Sequence, residues 1–168
     1  FIESLSIFKQ KNPDKLFFAI ILGSDQGRKI YKKKIQRLVE QYRLIQDVIF
    51  IDNFKNMPLA YKISNMVINC SIEPESFGRV AAESQAMEKV IVASDIGGSK
   101  ETIIDNKTGF LFKAGDAIAL SDKLAHIFEL DETTLKSMGI EGRKNVIKKF
   151  NVEKMCFSTY SEYKKLIS

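Results

Sequence analysis

The apolar positions change period several times along the chain, and those changes divide it into elements. Phe1, Ile2, Leu5 and Phe8 recur at helical spacing until Asn12-Pro13-Asp14 stops the helix and turns the chain. Leu16 to Leu22 is apolar at every position, which predicts a parallel strand covered by helices on both faces and ending at Gly23. From Gln26 to Leu44 the stripe Ile30, Tyr31, Ile35, Leu38, Val39 and Tyr42 predicts an amphipathic helix, and Val48-Ile49-Phe50-Ile51 a second buried strand. The alternation continues with a short helix opening at Met57-Pro58, a strand from Met66 to Asn69, a helix from about Gly78 to Met87 and a strand from Val90 to Ala93. Asp105 to Gly109 is turn chemistry leading into the short strand Phe110-Leu111-Phe112. Three helices close the chain, over Asp116 to Leu130, Glu132 to Phe150 and Val152 to Ile167, with Asp131 and Asn151 as caps. Strands alternating with helices predict an α/β fold built on a doubly wound parallel sheet. With no repeat, low-complexity stretch or linker, residues 1–168 read as one domain.

Composition narrows the class. A chain of 168 residues that is 45% hydrophobic can build one substantial core, while 28% charged residues, nine Gly and three Pro set it apart from disordered or collagen-like sequences. Its longest apolar run, Leu16 to Leu22, falls far short of the roughly 18 to 20 residues a spanning helix needs. The chain opens Phe1-Ile2-Glu3-Ser4-Leu5, without Met and without a basic-then-apolar leader, so it is expected to be a piece of a longer polypeptide with no secretory signal. Cys70 and Cys156 have no CxxC partners and are expected to be reduced structural thiols in a cytoplasmic protein. The net charge of +5 is densest at Arg28-Lys29 and Lys32-Lys33-Lys34 on one predicted helix; a solvated face is the default reading, anionic lipid headgroups or nucleic acid the alternatives.

Several kinds of chemistry lack their raw material. Gly23-Ser24-Asp25-Gln26-Gly27 follows a strand but has not the G-x-G-x-x-G spacing of a dinucleotide site, and no P-loop motif occurs. His126 is the single histidine, sits in a late helix and reads as a surface or packing residue, so nucleophilic triads and transition-metal clusters are not expected.

The informative segment is Glu73-Pro74-Glu75-Ser76-Phe77-Gly78-Arg79-Val80-Ala81-Ala82-Glu83. It starts at the carboxyl end of a predicted parallel strand and runs into a helix, where open α/β sheets place their ligands. Gly78 would let a ligand approach the free N–H groups of the first helical turn, which favour an anion such as a phosphate. Glu75 in the loop and Glu83 on the helix would repel that anion unless they faced something neutral, and the hydroxyls of a nucleotide sugar are neutral donors that carboxylates accept well. On spacing alone the two glutamates also read as an exposed loop residue and a helix-face residue. Ser94-Asp95-Ile96-Gly97-Gly98-Ser99-Lys100-Glu101 forms a second glycine-lined turn after a neighbouring strand, either an ordinary tight turn or a second cradle.

Glu75-Ser76-Phe77-Gly78 through Glu83, then Ala86-Met87, Val90 to Ser94, Gly97-Gly98, Glu101 and Asn106 to Leu111, resembles the carboxyl-terminal domain of the retaining glycosyltransferases of family four, also called group one. Two glutamates separated by seven residues within E-x-F-G, then Gly-Gly-x-x-Glu and a Thr-Gly turn, form that signature, and weaker motifs extend the resemblance over the whole chain. It implies the GT-B fold, two Rossmann-like lobes with the site between them, of which this chain would be the donor-binding lobe without its first strand and without the N-terminal acceptor lobe. It implies transfer of a sugar from a nucleotide diphosphate sugar with retention, no metal and no cofactor. By the same resemblance Glu83 would hold the ribose hydroxyls and Glu75 would face the transferred sugar, without being assigned as a nucleophile. Backbone N–H groups near Phe77 and Gly78, with Gly97 and Gly98, would meet the sugar or diphosphate, and Asn53 and Phe54 would lie near the base. Asn53 stands where the family often has Gly, and the family's diphosphate-binding Arg and Lys would lie upstream of Phe1. Arg79 and Lys100 match no motif that would give them that role. Expected partners are the nucleotide sugar, the N-terminal lobe of the same chain and a peripheral membrane contact, with no nucleic acid. Envelope polysaccharide or glycolipid synthesis fits the family. An epimerase-like enzyme of the same architecture and an inactive nucleotide-binding module are the alternatives.

Overall fold

The computed structural model describes residues 1–167 and divides into two compact units, residues 1–60 with 115–130 and residues 61–114 with 131–168. In the first unit α1 (Ile2–Lys11) packs chiefly against α6 (Ala117–Glu129), and β1 (Ala19–Leu22) pairs in parallel with β2 (Val48–Ile51), flanked in sequence by α2 (Lys29–Gln41). Phe8 is the anchor of this packing, its ring 5.6 Å from that of Phe17 and 4.9 Å from that of Phe128. Salt bridges from Lys9 to Asp47 at 2.6 Å and from Lys11 to Asp122 and Lys15 to Glu129, both at 2.9 Å, fringe it. The two at 2.9 Å are solvent-exposed and contribute little individually, while Asp47 is more sheltered.

Two expectations fail in this unit. The apolar run from Leu16 to Leu22 yields a strand only from Ala19 onward, and Leu16 and Phe18 are 89% and 75% exposed. A ladder extends only as far as its partner: β2 begins at Val48, just after the turn from Leu44 to Asp47, so the first bond is Ala19 N–H to Asp47 O at 2.8 Å. β1 itself is half-buried at best, whereas continuous apolarity had predicted cover on both faces. Helix α2 starts three residues later than its pattern suggests, because Asp25 turns the chain first, its side chain accepting from Gly27 N–H and its carbonyl from Arg28 N–H. Of its apolar stripe only Val39 is buried, and Ile30 and Tyr31 project into solvent.

The second unit matches its pattern closely. Parallel strands β3 (Met66–Asn69), β4 (Val90–Ser94) and β5 (Gly109–Phe112) lie in that order, and β4, central in the sheet, is buried at every residue. Helix α4 (Arg79–Ala86) packs on β4 and α7 (Glu132–Lys149), and Ala81, Ile91, Ala93 and Ile103 form the core beneath it. Short helix α3 (Met57–Ile63) leads into this unit and the one-turn α5 (Ser99–Thr102) lies between β4 and β5. A polar latch crosses the core: Gln85 Nε2 donates to the carbonyls of Ala81 and Thr102, both at 3.0 Å, and Asn145 Nδ2 donates to the same Thr102 oxygen at 2.9 Å. Helix α8 (Val152–Ile167) follows with no buried residue. No helix among the described residues is long and apolar enough to cross a membrane. Cys70 is half-buried, and burial pushes its thiol above the ordinary range, which keeps it protonated; Cys156 is exposed on α8.

Both expected caps are present. Asp131 accepts from Thr134 N–H at 2.7 Å and from its hydroxyl at 3.0 Å, and Asn151 accepts from Lys154 N–H at 2.8 Å. The Thr134 amide, and then its hydroxyl, hold the Asp131 carboxyl below its usual value. A depressed carboxyl contributes stability above the unfolded-state value, and that stability is lost as pH falls through the folded one. Thermal melts of Asp131→Ala should therefore lie below those of the parent at about pH 7, with the gap closing as pH falls below the ordinary carboxyl range.

Candidate functional site

Every residue from Glu75 to Gly98 that the sequence nominates falls in the second unit, on the loop after β3, the start of α4 and the turn after β4. Asn53 and Phe54 belong to the first unit, just past β2. Asn53 has φ +54°, a left-handed conformation natural to Gly and tolerated by Asn.

Gly78 caps α4 with φ +73°, and the first intrahelical bond runs from Ala81 N–H to Gly78 O at 3.0 Å. The amides of Gly78, Arg79 and Val80 precede it, so the helix begins with unpaired donors at the carboxyl edge of the sheet. Glu75 stands in the loop before them. Ser71 Oγ lies 2.5 Å from Glu75 Oε1 and 2.9 Å from Asn69 Oδ1, which ties the loop to the end of β3. Glu83 sits on the side of α4, 38% exposed, with Oε2 accepting from Tyr61 Oη at 2.8 Å. Its Oε1 faces Arg79, with Nε at 3.3 Å and Nη2 at 3.2 Å. Arg79 is thus a largely exposed i,i+4 partner of Glu83, in keeping with the absence of a motif role for it.

The Gly97-Gly98 turn has a role that spacing did not announce. It packs backbone to backbone under the glutamate loop: a Cβ at Gly98 would lie 2.3 Å from Phe77 C and O, and one at Gly97 2.5 Å from Glu75 O. Gly98 N–H donates to Glu75 O at 2.8 Å. The two glycine segments therefore form one assembly, with the loop resting on the turn. The Phe77 ring closes the other side, edge-to-face with Phe150 at 5.3 Å. Lys100 is held toward Asp95 at 3.6 Å. A depression of about 530 Å³ lined by Asp95, Ile96, Asp105, Leu111, Phe112, Lys113 and Ala114 lies past this turn and includes neither glutamate. The glutamates stand on an open edge outside it.

Tyr61, Ser71 and Phe150 were not nominated from the sequence. Tyr61 carries no motif of its own, and its partner lies 22 residues downstream, beyond any local signal. Ser71, four residues before Glu75, could have been suspected as a loop-ordering hydroxyl.

Residues 1–145 match the family model for Glycosyl transferases group 1. The chain belongs to the group 1 glycosyl transferases. As a group 1 chain it is 25% identical to the capsular polysaccharide biosynthesis glycosyltransferase CapM of Staphylococcus aureus, over 74% of this chain and 41% of CapM. It is 30% identical to a crystallised glycosyltransferase from Rickettsia africae, with a TM-score of 0.90 over 99% of this chain and 43% of that one. Anabaena HepE, crystallised in complex with UDP-glucose, shares the fold at a TM-score of 0.85 and 22% identity, over 96% of this chain and 44% of HepE. These neighbours make the fold one Rossmann-like lobe of a GT-B glycosyltransferase. The group 1 chain spans about two fifths of the length of these proteins.

Because the Gly98 contact is between backbones, no rotamer change can relieve a methyl group there. Gly98→Ala should destabilise the protein by about 1 to 3 kcal/mol in urea unfolding. Unchanged stability would show that the loop does not rest on the turn.

Proposed function

We propose that this chain is the donor-binding lobe of a retaining glycosyltransferase that moves a sugar from a nucleotide diphosphate sugar to an acceptor bound by an N-terminal lobe. The observation that carries the reading is that Glu75, in the loop, and Glu83, along α4, bracket in sequence the amides that open the helix, which have no partner among the described residues, at the carboxyl edge of a parallel sheet. Family membership and the share of its relatives that the chain spans support it.

On this reading the amides at Gly78–Val80 and the helix dipole favour the diphosphate, and Glu83 accepts the ribose hydroxyls. Glu75 faces the transferred sugar, where Ser71 leaves its Oε2 without a hydrogen bond among the described residues. Gly97 and Gly98 shape the floor beneath the sugar. The lobe contributes position and leaving-group stabilisation rather than a nucleophile. No metal or cofactor enters this scheme.

Contact with an anionic membrane surface is part of the same reading. Helix α2 presents Lys33, Lys34 and Arg37 around exposed Ile30, along a groove of about 530 Å³. Cations beside an exposed apolar side chain suit a headgroup boundary. The full-length protein should sediment with vesicles containing anionic lipid and not with zwitterionic ones, and Lys33→Glu with Lys34→Glu should release it; equal sedimentation of parent and variant would remove α2 from this role.

The two glutamates should fail differently in the full-length protein. Glu83→Ala should weaken free nucleotide diphosphate and intact nucleotide sugar alike, by roughly ten- to 150-fold, as expected for hydrogen bonds to a charged group. Glu75→Ala should leave the free nucleotide nearly unchanged while lowering turnover and affinity for the sugar donor. Normal nucleotide binding by Glu83→Ala, or equal loss of both ligands by Glu75→Ala, would reverse the assignment.

A further inference from the structure

We propose that Tyr61 is the positioning residue of Glu83, its buried hydroxyl fixing one carboxylate oxygen so that the remaining lone pairs are presented to the two hydroxyls of a nucleotide ribose. The inference rests on the reading of Glu83 as the ribose acceptor.

Glu83 has two neighbours, and they differ in kind. Arg79 is 84% exposed and reaches Oε1 at 3.2 Å, a solvated arm on the same helix whose attraction is screened. Tyr61 is only 5% exposed, comes from α3 and places Oη 2.8 Å from Oε2. A buried phenol has two torsions, both fixed by packing, whereas a glutamate on an open helix face has three free ones. The hydroxyl therefore removes the freedom that a ribose would otherwise have to remove on binding.

The chemistry of the donor matters as much as its rigidity. A neutral hydroxyl orients the carboxylate without cancelling its charge, so the group remains a strong acceptor. Burial, and then the hydrogen bond to Glu83, push the phenol above its ordinary range, so it keeps its proton and its role as donor. A carboxylate offers about four lone-pair sites. With Tyr61 on Oε2, a second site on that oxygen stays open to one ribose hydroxyl, and Oε1, met only by Nε and Nη2 of the solvated Arg79 arm, can turn to the other hydroxyl when that arm swings away.

Tyr61→Phe deletes one oxygen and keeps the ring. Glu83 is half-exposed and can turn to water when the hydroxyl is gone, so the variant should fold, and its melting temperature is recorded alongside. Calorimetry on the full-length protein would compare UDP, GDP and ADP, and then the 2′,3′-dideoxy form of the nucleotide the parent binds. Tyr61→Phe should weaken the ribonucleotide by roughly three- to tenfold, leave the dideoxy form unchanged, and add nothing in a Glu83→Ala background. Equal losses for ribo and dideoxy forms would make Tyr61 merely structural and overturn the proposal. Unchanged ribonucleotide binding beside a weakened Glu83→Ala would overturn it too, leaving Glu83 in place. Normal binding by Glu83→Ala, or a parent that binds none of the three nucleotides, would instead bring down the reading beneath it.

Discussion

The contact between Gly98 N–H and Glu75 O, with the Phe77 backbone lying where a side chain at Gly98 would have to be, is the constraint on which the site depends. It sets where the loop after β3 can run, and the loop sets where α4 can begin. With Gly78 in a left-handed conformation just past the contact, the chain turns directly into the helix and leaves its first amides at the sheet edge. Both glutamates inherit their positions from that sequence of events. Glu75 stands in the loop, its carboxylate beside Ser71 at the end of β3, and Glu83 lies a little over one helical turn along α4.

Around this core the second unit was legible because each rule of local structure agrees with the next. β4 is apolar throughout and buried throughout; Gly78 and Met87 bound α4 as its pattern implies; Asp131 and Asn151 cap the helices they precede. The first unit shows the limit of the same reasoning. Apolarity at Leu16 to Phe18 said strand, but strand length is decided by the partner's hydrogen bonds, and the partner's first is the one from Ala19 N–H to Asp47 O. Ile30 and Tyr31 fit a helical stripe, yet periodicity reports only a shared face, not that anything covers it.

The site divides in the same way. Glu75, Gly78 and Glu83 form a local pattern and could be read in order, while the meaning of Gly97 and Gly98 changed once the structure set them against another backbone. No spacing reveals which oxygen of Glu83 meets Tyr61, because the two side chains come from separate helices with a strand between them in sequence. Pattern thus found the charged groups, and packing supplied what orients them.

The Thr102 carbonyl accepts from two side-chain amides, Gln85 on α4 and Asn145 on α7, while the other end of the same short segment is tied through Gly98 to Glu75. Residues 98–102 therefore behave as a beam clamped at both ends, one clamp in the loop that carries Glu75 and the other in the helix that carries Glu83. A beam held in this way does not bend alone: displacing the glycine turn pulls on the backbone that carries each glutamate. The spacing of those two stretches of backbone is thus held by the turn, while the reach of each carboxylate is left to its own side chain.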